Sequence, residues 1–157
     1  MLNDDMKSFI TYSLKEDFGS GDVTSESSVP VDLVEKGYIL AKESGVIAGV
    51  KVAKEVFHQI DSNLKFKTFV KDGTWVKSGD VVIELHGSAR SILSGERLAL
   101  NFMQRMSGIA TRTAEIVKIL EGTNTQVLDT RKTTPGLRGF EKWAVSIGGG
   151  VNHRMGL

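Results

Sequence analysis

The fold is decided near the carboxyl end, where residues 126–154 read QVLDTRKTTPGLRGFEKWAVSIGGGVNHR. The tripeptide Gln126-Val127-Leu128 predicts a short buried strand, and Asp129-Thr130-Arg131 follows at its carboxyl end. Thr134 can cap a helix that has Pro135 in its first turn. A strand followed by a helix and a glycine run is typical of a βαβ unit, in which ligands bind at the carboxyl ends of the strands.

The same stretch concentrates positive charge beside hydroxyl groups and glycines. From Asp129 onward the sequence has five lysines or arginines and two carboxylates, a local charge of +3, whereas the whole chain carries +1. Such clusters hold small, multiply anionic ligands. Arg131 and Lys132 are adjacent, so their side chains leave in different directions, one toward carboxylates and the other toward a phosphate. Arg154 is expected on the neighbouring strand end, and two guanidinium forks suit a planar dicarboxylate.

Ordinary structural roles for these residues stay open at this point. Arg131 and Arg154 could instead form salt bridges with carboxylates such as Glu141. A lone histidine such as His153 is more often an unremarkable surface or core residue, and only its neighbours favour a role in a site. Arg97, near the start of a long predicted helix, would ordinarily be a solvated charge. The glycine run is followed by no Lys-Ser/Thr pair, which excludes a nucleotide P-loop.

Composition excludes several classes of protein. A net charge of +1 and a pI near 8.0 give no case for nucleic-acid binding. The absence of cysteine excludes disulfides and thiolate metal sites and fits a reducing compartment. The acidic start of the sequence lacks the pattern of a signal peptide, and no apolar run approaches the ~18 residues of a membrane span. We therefore expect a cytoplasmic protein with neither a nucleic-acid nor a membrane partner.

The residues before this unit have the periodicity of a small module of helices on a sheet. Helices are expected over 2–17, 49–60 and 94–120, and strands over 36–42, 64–70 and 81–86. The longest helix is expected to begin at a Ser94 cap, to end near Gly122, and to kink or break at Ser107-Gly108. The last helix has an apolar stripe of Phe140, Trp143, Ala144 and Ile147 and ends at Gly148.

One further pattern belongs to a different functional class. The run Gly73-x-x-Val76-x-x-Gly79-Asp80 resembles the hammerhead turns of biotinyl and lipoyl carrier domains. No lysine sits at the tip of the expected carrier hairpin, so the resemblance is one of strands and turns. A non-catalytic assembly module or carrier-like module built on residues 1–120 stays open as an alternative.

Five motifs together resemble the quinolinate phosphoribosyltransferase family (nicotinate-nucleotide pyrophosphorylase, carboxylating). They run from near the amino terminus to the end of the chain, and the one that begins at Asp129 is highly specific. The motifs are Glu16-Asp17-x-Gly19-x-Gly21-Asp22-x-Thr24, Glu96–Phe102, Ser107–Thr111, Asp129–Gly136 and Gly148-Gly149-Gly150-x-Asn152-His153-Arg154.

The resemblance implies the fold class and the domain organisation. We expect an α+β amino-terminal sandwich, with helices on a mainly antiparallel sheet, over residues 1–108, including part of the long helix. Residues 109–157 would then be the start of an incomplete α/β barrel that is truncated at Leu157. The family's chain runs well beyond that point, so we expect these 157 residues to be inactive on their own.

The resemblance also implies the reaction. Members transfer phosphoribosyl from phosphoribosyl pyrophosphate to quinolinate with decarboxylation, which gives nicotinate mononucleotide, pyrophosphate and CO₂ in NAD biosynthesis. Mg²⁺ accompanies phosphoribosyl pyrophosphate, and its ligands are expected beyond Leu157, with none in this chain. A paralogous pyrophosphorylase-like protein with another substrate is the alternative, and the two-arginine dicarboxylate clamp argues against it.

Site residues are carried over from the family's motifs one by one. Arg131 and Arg154 would hold the carboxylates of quinolinate, and Thr130 would line the pocket with His153. Lys132 would face phosphoribosyl pyrophosphate, and Lys132 and His153 are the two positions expected to be catalytic. The family works as a homodimer or larger homo-oligomer, in which Arg97 would reach across the interface into the site of a partner subunit.

Overall fold

The computed structural model describes residues 2–19 and 27–155 of the chain. The elements in chain order are helix α1 (Asp4–Phe18), strands β1 (Val34–Leu40) and β2 (Gly45–Val46), helix α2 (Val50–Ile60), strands β3 (Lys65–Thr68), β4 (Trp75–Val76) and β5 (Val81–Ser88), and helices α3 (Ala89–Ile119) and α4 (Arg138–Ile147). The helices and strands predicted over residues 2–120 are therefore present, with ends that differ by a few residues. The motif from Glu16 to Thr24 lies outside the described residues beyond Gly19. None of the helices in the described part of the chain is long and apolar enough to cross a membrane.

The main sheet is antiparallel, in the strand order β1-β5-β3. Tyr38 on β1 pairs with Glu84 on β5, which pairs with Lys67 on β3, and these side chains lie at the solvent-facing surface. Alternation along the strands sends Ile39 and Ile83 to the other face, where both are buried. α2 and α3 cover that face, as expected for a sandwich of helices on a sheet.

α3 is one continuous helix of 31 residues, so the predicted Ser94 cap and the predicted break are both wrong. The helix begins at Ala89 and is capped by Ser88, whose hydroxyl accepts a hydrogen bond from the Ser91 N–H. At the predicted break, the Ser107 hydroxyl bonds the Ala48 backbone rather than competing for its own helix. Thr111 does the same for Val46, at 2.8 Å to the backbone nitrogen. These two hydroxyls therefore join the middle of α3 to the segment that carries β2.

α4 packs against α3 through an aromatic cluster that also includes α1. Phe140 lies 4.8 Å from Phe102 and 5.8 Å from Phe9, measured between ring centroids. All three helices are therefore joined at one point, and that point fixes where the loop before α4 lies. The predicted apolar stripe of α4 is present, since Phe140 and Ala144 are buried and Trp143 and Ile147 pack against the core.

The predicted start of α4 is wrong by about one turn. The helix begins at Arg138 after Leu137, and no side chain caps it. Gly136 has a φ of 80°, a left-handed conformation that a right-handed helix cannot include. Thr134 and Pro135 therefore form a turn, closed by a 3.0 Å bond from the Leu137 N–H to the Thr134 carbonyl.

The expected strand–helix–strand unit is present only as one pair of bridged residues, and the prediction of a buried strand at 126–128 is wrong in its burial, since Leu128 is 53% exposed. Leu128 and Val151 form a single parallel bridge on either side of α4. Two backbone bonds support it: the Asp129 N–H donates to the Val151 carbonyl at 3.1 Å, and the Val151 N–H donates to the Val127 carbonyl at 2.8 Å. The parallel direction is the one that the glycine run and helix predict.

Candidate active site

The bridge between Leu128 and Val151 places two polar segments side by side. Arg131 lies three residues after Leu128, and Arg154 lies three residues after Val151. Because the two strands are parallel, both segments leave the same edge in the same direction. The structure thus brings Thr130, Arg131, Lys132, His153 and Arg154 to one edge, which we call the rim.

Most of the rim faces solvent. Lys132, His153 and Arg154 are exposed, whereas Arg131 is partly buried. The exposed Thr130 hydroxyl accepts the Lys132 N–H at 3.0 Å, which shapes the turn. The cationic ends are therefore accessible to a ligand from outside.

Arg131 has one feature that the rest of the rim lacks. Its Nε is buried and has no hydrogen-bond partner among the described residues. Buried donors almost always find an acceptor, and leaving one unpaired costs about 1–3 kcal/mol. An anionic ligand that accepts from this guanidinium would satisfy the unpaired donor.

The alternative of salt bridges to Glu141 does not hold. Within the described ranges, no carboxylate lies within ion-pair distance of Arg131, Lys132 or Arg154. Glu141 instead pairs with Arg105 of α3 and accepts the Thr134 N–H at 3.2 Å. Burial acts to raise the pKa of Glu141, but the hydrogen bonds from Arg105 and Thr134 outweigh it, and that pKa is lowered.

The contacts of Glu141 with Arg105 and Thr134, which we call the latch, give the first prediction. It is a change in stability that depends on pH. Glu141→Gln should destabilise the protein by about 1 kcal/mol near neutral pH, because it removes a charge-assisted bond between α3 and α4. A carboxyl whose folded-state pKa is lowered stabilises the fold above its unfolded pKa and loses that contribution as the pH falls. The difference in free energy of unfolding between the parent and the variant, measured by urea unfolding, should therefore shrink as the pH falls from about 5 to about 3.

The matched control is Glu115→Gln, which removes the exposed pair with Arg112 on α3. Exposed pairs contribute only about 0–1 kcal/mol, so this variant should differ little from the parent at either pH. An equal effect of the two substitutions would contradict a latch at Glu141.

Asp129 and Lys142 form a buried ion pair behind the rim, which sequence reasoning missed. Their side chains are 6% and 1% exposed, and Lys142 Nζ donates to Asp129 Oδ1. Asp129 Oδ1 also accepts the His153 N–H at 2.7 Å. With its nitrogen facing inward, the Asn152 amide donates to Asp129 Oδ2 at 2.8 Å. The carboxylate therefore joins α4 to both polar segments.

Arg138 ties the outer side of the rim. Its guanidinium donates to the Thr133 hydroxyl at 3.1 Å, to the Arg131 carbonyl at 3.4 Å and to the Met155 carbonyl at 3.3 Å. One side chain from the first turn of α4 thus holds the segment after Arg131 and the segment after Arg154. In the sequence, Arg138 stands at the end of the run TTPGLR at residues 133–138. The sequence alone did not distinguish it from the other cations.

Arg97 lies apart from the rim. It is exposed on α3 and makes no hydrogen bond or ion pair with any described residue. It precedes Arg105, the α3 residue that contacts the start of the α4 unit, by eight residues, or about 12 Å along the helix axis. The structure of one chain therefore does not place it with the other five candidate residues.

The rim does not fit a magnesium site by itself. Across residues 2–19 and 27–155, no three His, Cys, Asp or Glu side chains cluster closely enough to hold a metal ion. Mg²⁺ prefers oxygen ligands, and Asp129, the carboxylate nearest the rim, already accepts three hydrogen bonds or ion pairs.

A groove of about 840 Å³ lies elsewhere, between β1, β2 and α3. Its charged lining residues are three carboxylates and two cations, Glu43, Glu96, Glu115, Lys42 and Arg112. A groove with this charge does not suit a dianion, whereas the rim does.

Comparison with known proteins gives the family. The model described as "Quinolinate phosphoribosyl transferase, N-terminal domain" matches residues 22–107, and the corresponding C-terminal domain model matches residues 109–157. The chain belongs to the quinolinate phosphoribosyltransferase family. Its fold is thus the α+β sandwich of that family followed by the start of the α/β barrel, as the resemblance implied.

Individual relatives agree with this assignment. The chain is 47% identical over 152 residues to a probable nicotinate-nucleotide pyrophosphorylase [carboxylating] of Bacillus subtilis, covering 97% of this chain and 52% of the relative. It is 47% identical over 154 residues to quinolinate phosphoribosyltransferase [decarboxylating] 2a, mitochondrial, of Nicotiana tabacum, covering 98% and 43%. The crystal structure of NadC from Streptococcus pyogenes matches with a TM-score of 0.95 at 43% identity, covering 100% of this chain and 57% of that one. The chain spans about half the length of the curated relatives it matches.

Proposed function

We propose that the protein transfers phosphoribosyl from phosphoribosyl pyrophosphate to quinolinate, with loss of CO₂, in NAD biosynthesis. The observation that carries the proposal is the buried, unpaired Nε of Arg131 at a rim shared with Arg154. Family membership supports the reaction, since relatives carry the names of the quinolinate enzyme. A cytoplasmic location is part of the proposal.

The two arginines are assigned to the two carboxylates of the substrate. Quinolinate is a planar dianion, and a guanidinium can bind each carboxylate in bidentate fashion. Arg131 and Arg154 leave neighbouring strand ends in the same direction, as such a clamp requires. Thr130 and the imidazole of His153, which can donate or accept a hydrogen bond, would line the pocket beside them.

The proposed chemistry needs orientation and charge neutralisation from the protein. The pyridine nitrogen attacks the ribose carbon as the bond to pyrophosphate breaks, so a nitrogen–carbon bond replaces a carbon–oxygen bond. The resulting pyridinium accepts the electron pair when the adjacent carboxylate leaves as CO₂, and a proton then adds to the ring carbon. Lys132, exposed on the rim, would neutralise the phosphates of phosphoribosyl pyrophosphate.

Mg²⁺ remains part of the proposal as a companion of phosphoribosyl pyrophosphate. When bound, it would neutralise charge on the pyrophosphate leaving group. Because the described residues offer no ligand set for it, no role in holding the ion is assigned to them.

A second subunit is also part of the proposal. Arg97 is exposed and unpaired within the described residues, and it is remote from the rim of its own chain. We assign it to the quinolinate site of a partner in a homodimer or larger homo-oligomer. This assignment explains why Arg97, a residue of the Glu96–Phe102 motif, has no partner among the described residues of its own chain.

Thermal unfolding with two pyridine acids tests the proposed substrate. With the protein at its natural length, quinolinate at about 100 times its Kd should raise the Tm by about 5–10 °C, since such binding stabilises by about 2.7 kcal/mol. Nicotinate, with one carboxylate, should have a smaller effect at the same concentration, because it leaves one arginine unpaired.

The other outcomes distinguish the alternatives. Equal shifts with the diacid and the monoacid would favour a paralogue with a different substrate. No shift with either acid would contradict the proposal and favour a non-catalytic module.

A further inference from the structure

We propose that Lys142 is a positioning residue: its buried ion pair with Asp129 sets the spacing between the two arginines of the rim. The inference rests on the proposed function only for the identity of the ligand. The positioning of the two arginines by Lys142 concerns this chain alone. The ligand and the positioning are tested separately below.

The ion pair occupies the junction of the unit. Asp129 directly precedes Thr130 and Arg131, and its Oδ1 accepts the backbone N–H of His153, the residue before Arg154, at 2.7 Å. One carboxylate is therefore covalently linked to the segment of the first arginine and hydrogen-bonded to the segment of the second. Any movement of this carboxylate changes the distance between the two guanidinium groups.

Lys142 fixes the carboxylate itself. It lies in the middle of α4, its side chain is 1% exposed, and its Nζ binds Asp129 Oδ1. α4 is anchored to α3 through Phe140 and Phe102, so the lysine transmits the position of the helix to the strand ends. The Asn152 amide adds a second tie from the Lys142 carbonyl to Asp129 Oδ2, at 2.8 Å to each.

Stability does not account for this arrangement. Removing two charges from water costs about as much as their attraction returns, and apolar pairs of similar volume often replace buried ion pairs without loss of stability. A buried pair that contributes little net stability can still specify one geometry. Here the geometry specified is the register of the two segments that carry Arg131 and Arg154.

The test separates geometry from stability with a neutral pair. Lys142→Met alone leaves the Asp129 carboxylate buried without its cation, and its Tm should fall by about 10 °C. In the double variant Lys142→Met with Asp129→Asn, no charge is stranded and the amide oxygen can still accept the His153 N–H. Its Tm should return to within about 3 °C of the parent.

Quinolinate affinity decides the proposal. It is measured by calorimetry on the protein at its natural length, at a temperature where circular dichroism shows each variant folded. We expect the double variant to bind at least about tenfold more weakly than the parent, although its stability has returned. A Kd within about twofold of the parent would overturn the proposal, whatever the Tm. Lys54→Met, the same change at an exposed position of α2, should leave the Kd unaltered.

Amide hydrogen exchange without a ligand tests the positioning role even if quinolinate does not bind. If the parent protein does not bind quinolinate, the proposed function fails, and positioning is then read from amide exchange. The His153 N–H should exchange at least about tenfold faster in Lys142→Met than in the parent, while the Ala144 N–H inside α4 stays protected. Equal exchange of the His153 amide in both proteins would overturn the positioning role.

Discussion

Arg131→Ala should weaken quinolinate binding by about 100-fold to 1,000-fold, with a matching loss of kcat/KM. The variant removes a partly buried guanidinium whose Nε has no protein acceptor, so the ligand is its proposed partner. Hydrogen bonds to charged groups contribute about 1.5–3 kcal/mol each, and two of them are lost. Calorimetry with quinolinate and steady-state assays on the protein at its natural length measure the two effects.

Graded variants give the controls for this prediction. Arg131→Lys keeps the charge and loses the planar fork, so it should recover part of the affinity and remain at least about tenfold weaker than the parent. Lys54→Ala removes an exposed cation of α2 and should bind normally. Equal binding by Arg131→Ala and the parent would remove the arginine clamp from the proposal.

Mixing the Arg97→Ala and Arg131→Ala variants tests whether a partner subunit contributes to the site. If Arg97 acts across a two-fold interface, a heterodimer of Arg97→Ala and Arg131→Ala has one site with both substitutions and one intact site. Random mixing should therefore recover about a quarter of the parent activity. Activity no higher than that of the separate variants would contradict a shared site.

Gly148→Ala should destabilise the protein by about 3 kcal/mol, which lowers the Tm by about 6–12 °C. A Cβ at this position would lie 2.4 Å from the Ala110 carbonyl oxygen and 2.7 Å from Thr113 Cβ. The backbone of α3 cannot yield as a flexible side chain would, so α4 would have to move away from α3. Thermal unfolding followed by circular dichroism measures the change.

Gly108→Ala makes the same substitution within α3 and should have the opposite effect. A Cβ there meets nothing within 4 Å, and glycine in a helix interior costs about 0.5–1 kcal/mol relative to alanine. This variant should unfold at a slightly higher temperature than the parent. A similar loss of stability in both variants would show that the close approach at Gly148 is not the cause.

The order of elements could be predicted from the sequence because hydrophobic periodicity is a local property. The tripeptide at 126–128 and the apolar stripe of α4 were sufficient to predict the strand–helix–strand unit. The start of α4 was missed because Gly136 adopts a left-handed conformation that no periodicity records. The break predicted at Ser107 was wrong because its hydroxyl bonds Ala48, a partner 59 residues away in the chain.

The cations of the candidate site could be predicted from the sequence. The buried ion pair that supports them could not. Charge and spacing indicated Arg131 and Arg154, whereas Lys142 entered only as one of the five cations counted from Asp129 onward. Periodicity assumes that a helix buries one face, but α4 is covered by α3 on one side and by the bridge at Leu128 on the other. A lysine on the second face is then buried, and its partner can be known only from the fold.

The continuity of α3 constrains how the molecule can move. The two family models meet at residue 108, in the middle of this helix, so a rigid rod about 46 Å long crosses the domain boundary where a multidomain enzyme often has a linker. Closing one region over the other would require breaking a helix whose residues are buried on both sides of that boundary, from Ala89 to Thr113. The angle between the two matched regions is therefore fixed when the chain folds, and a movement that admits a ligand is expected in loops rather than between these regions.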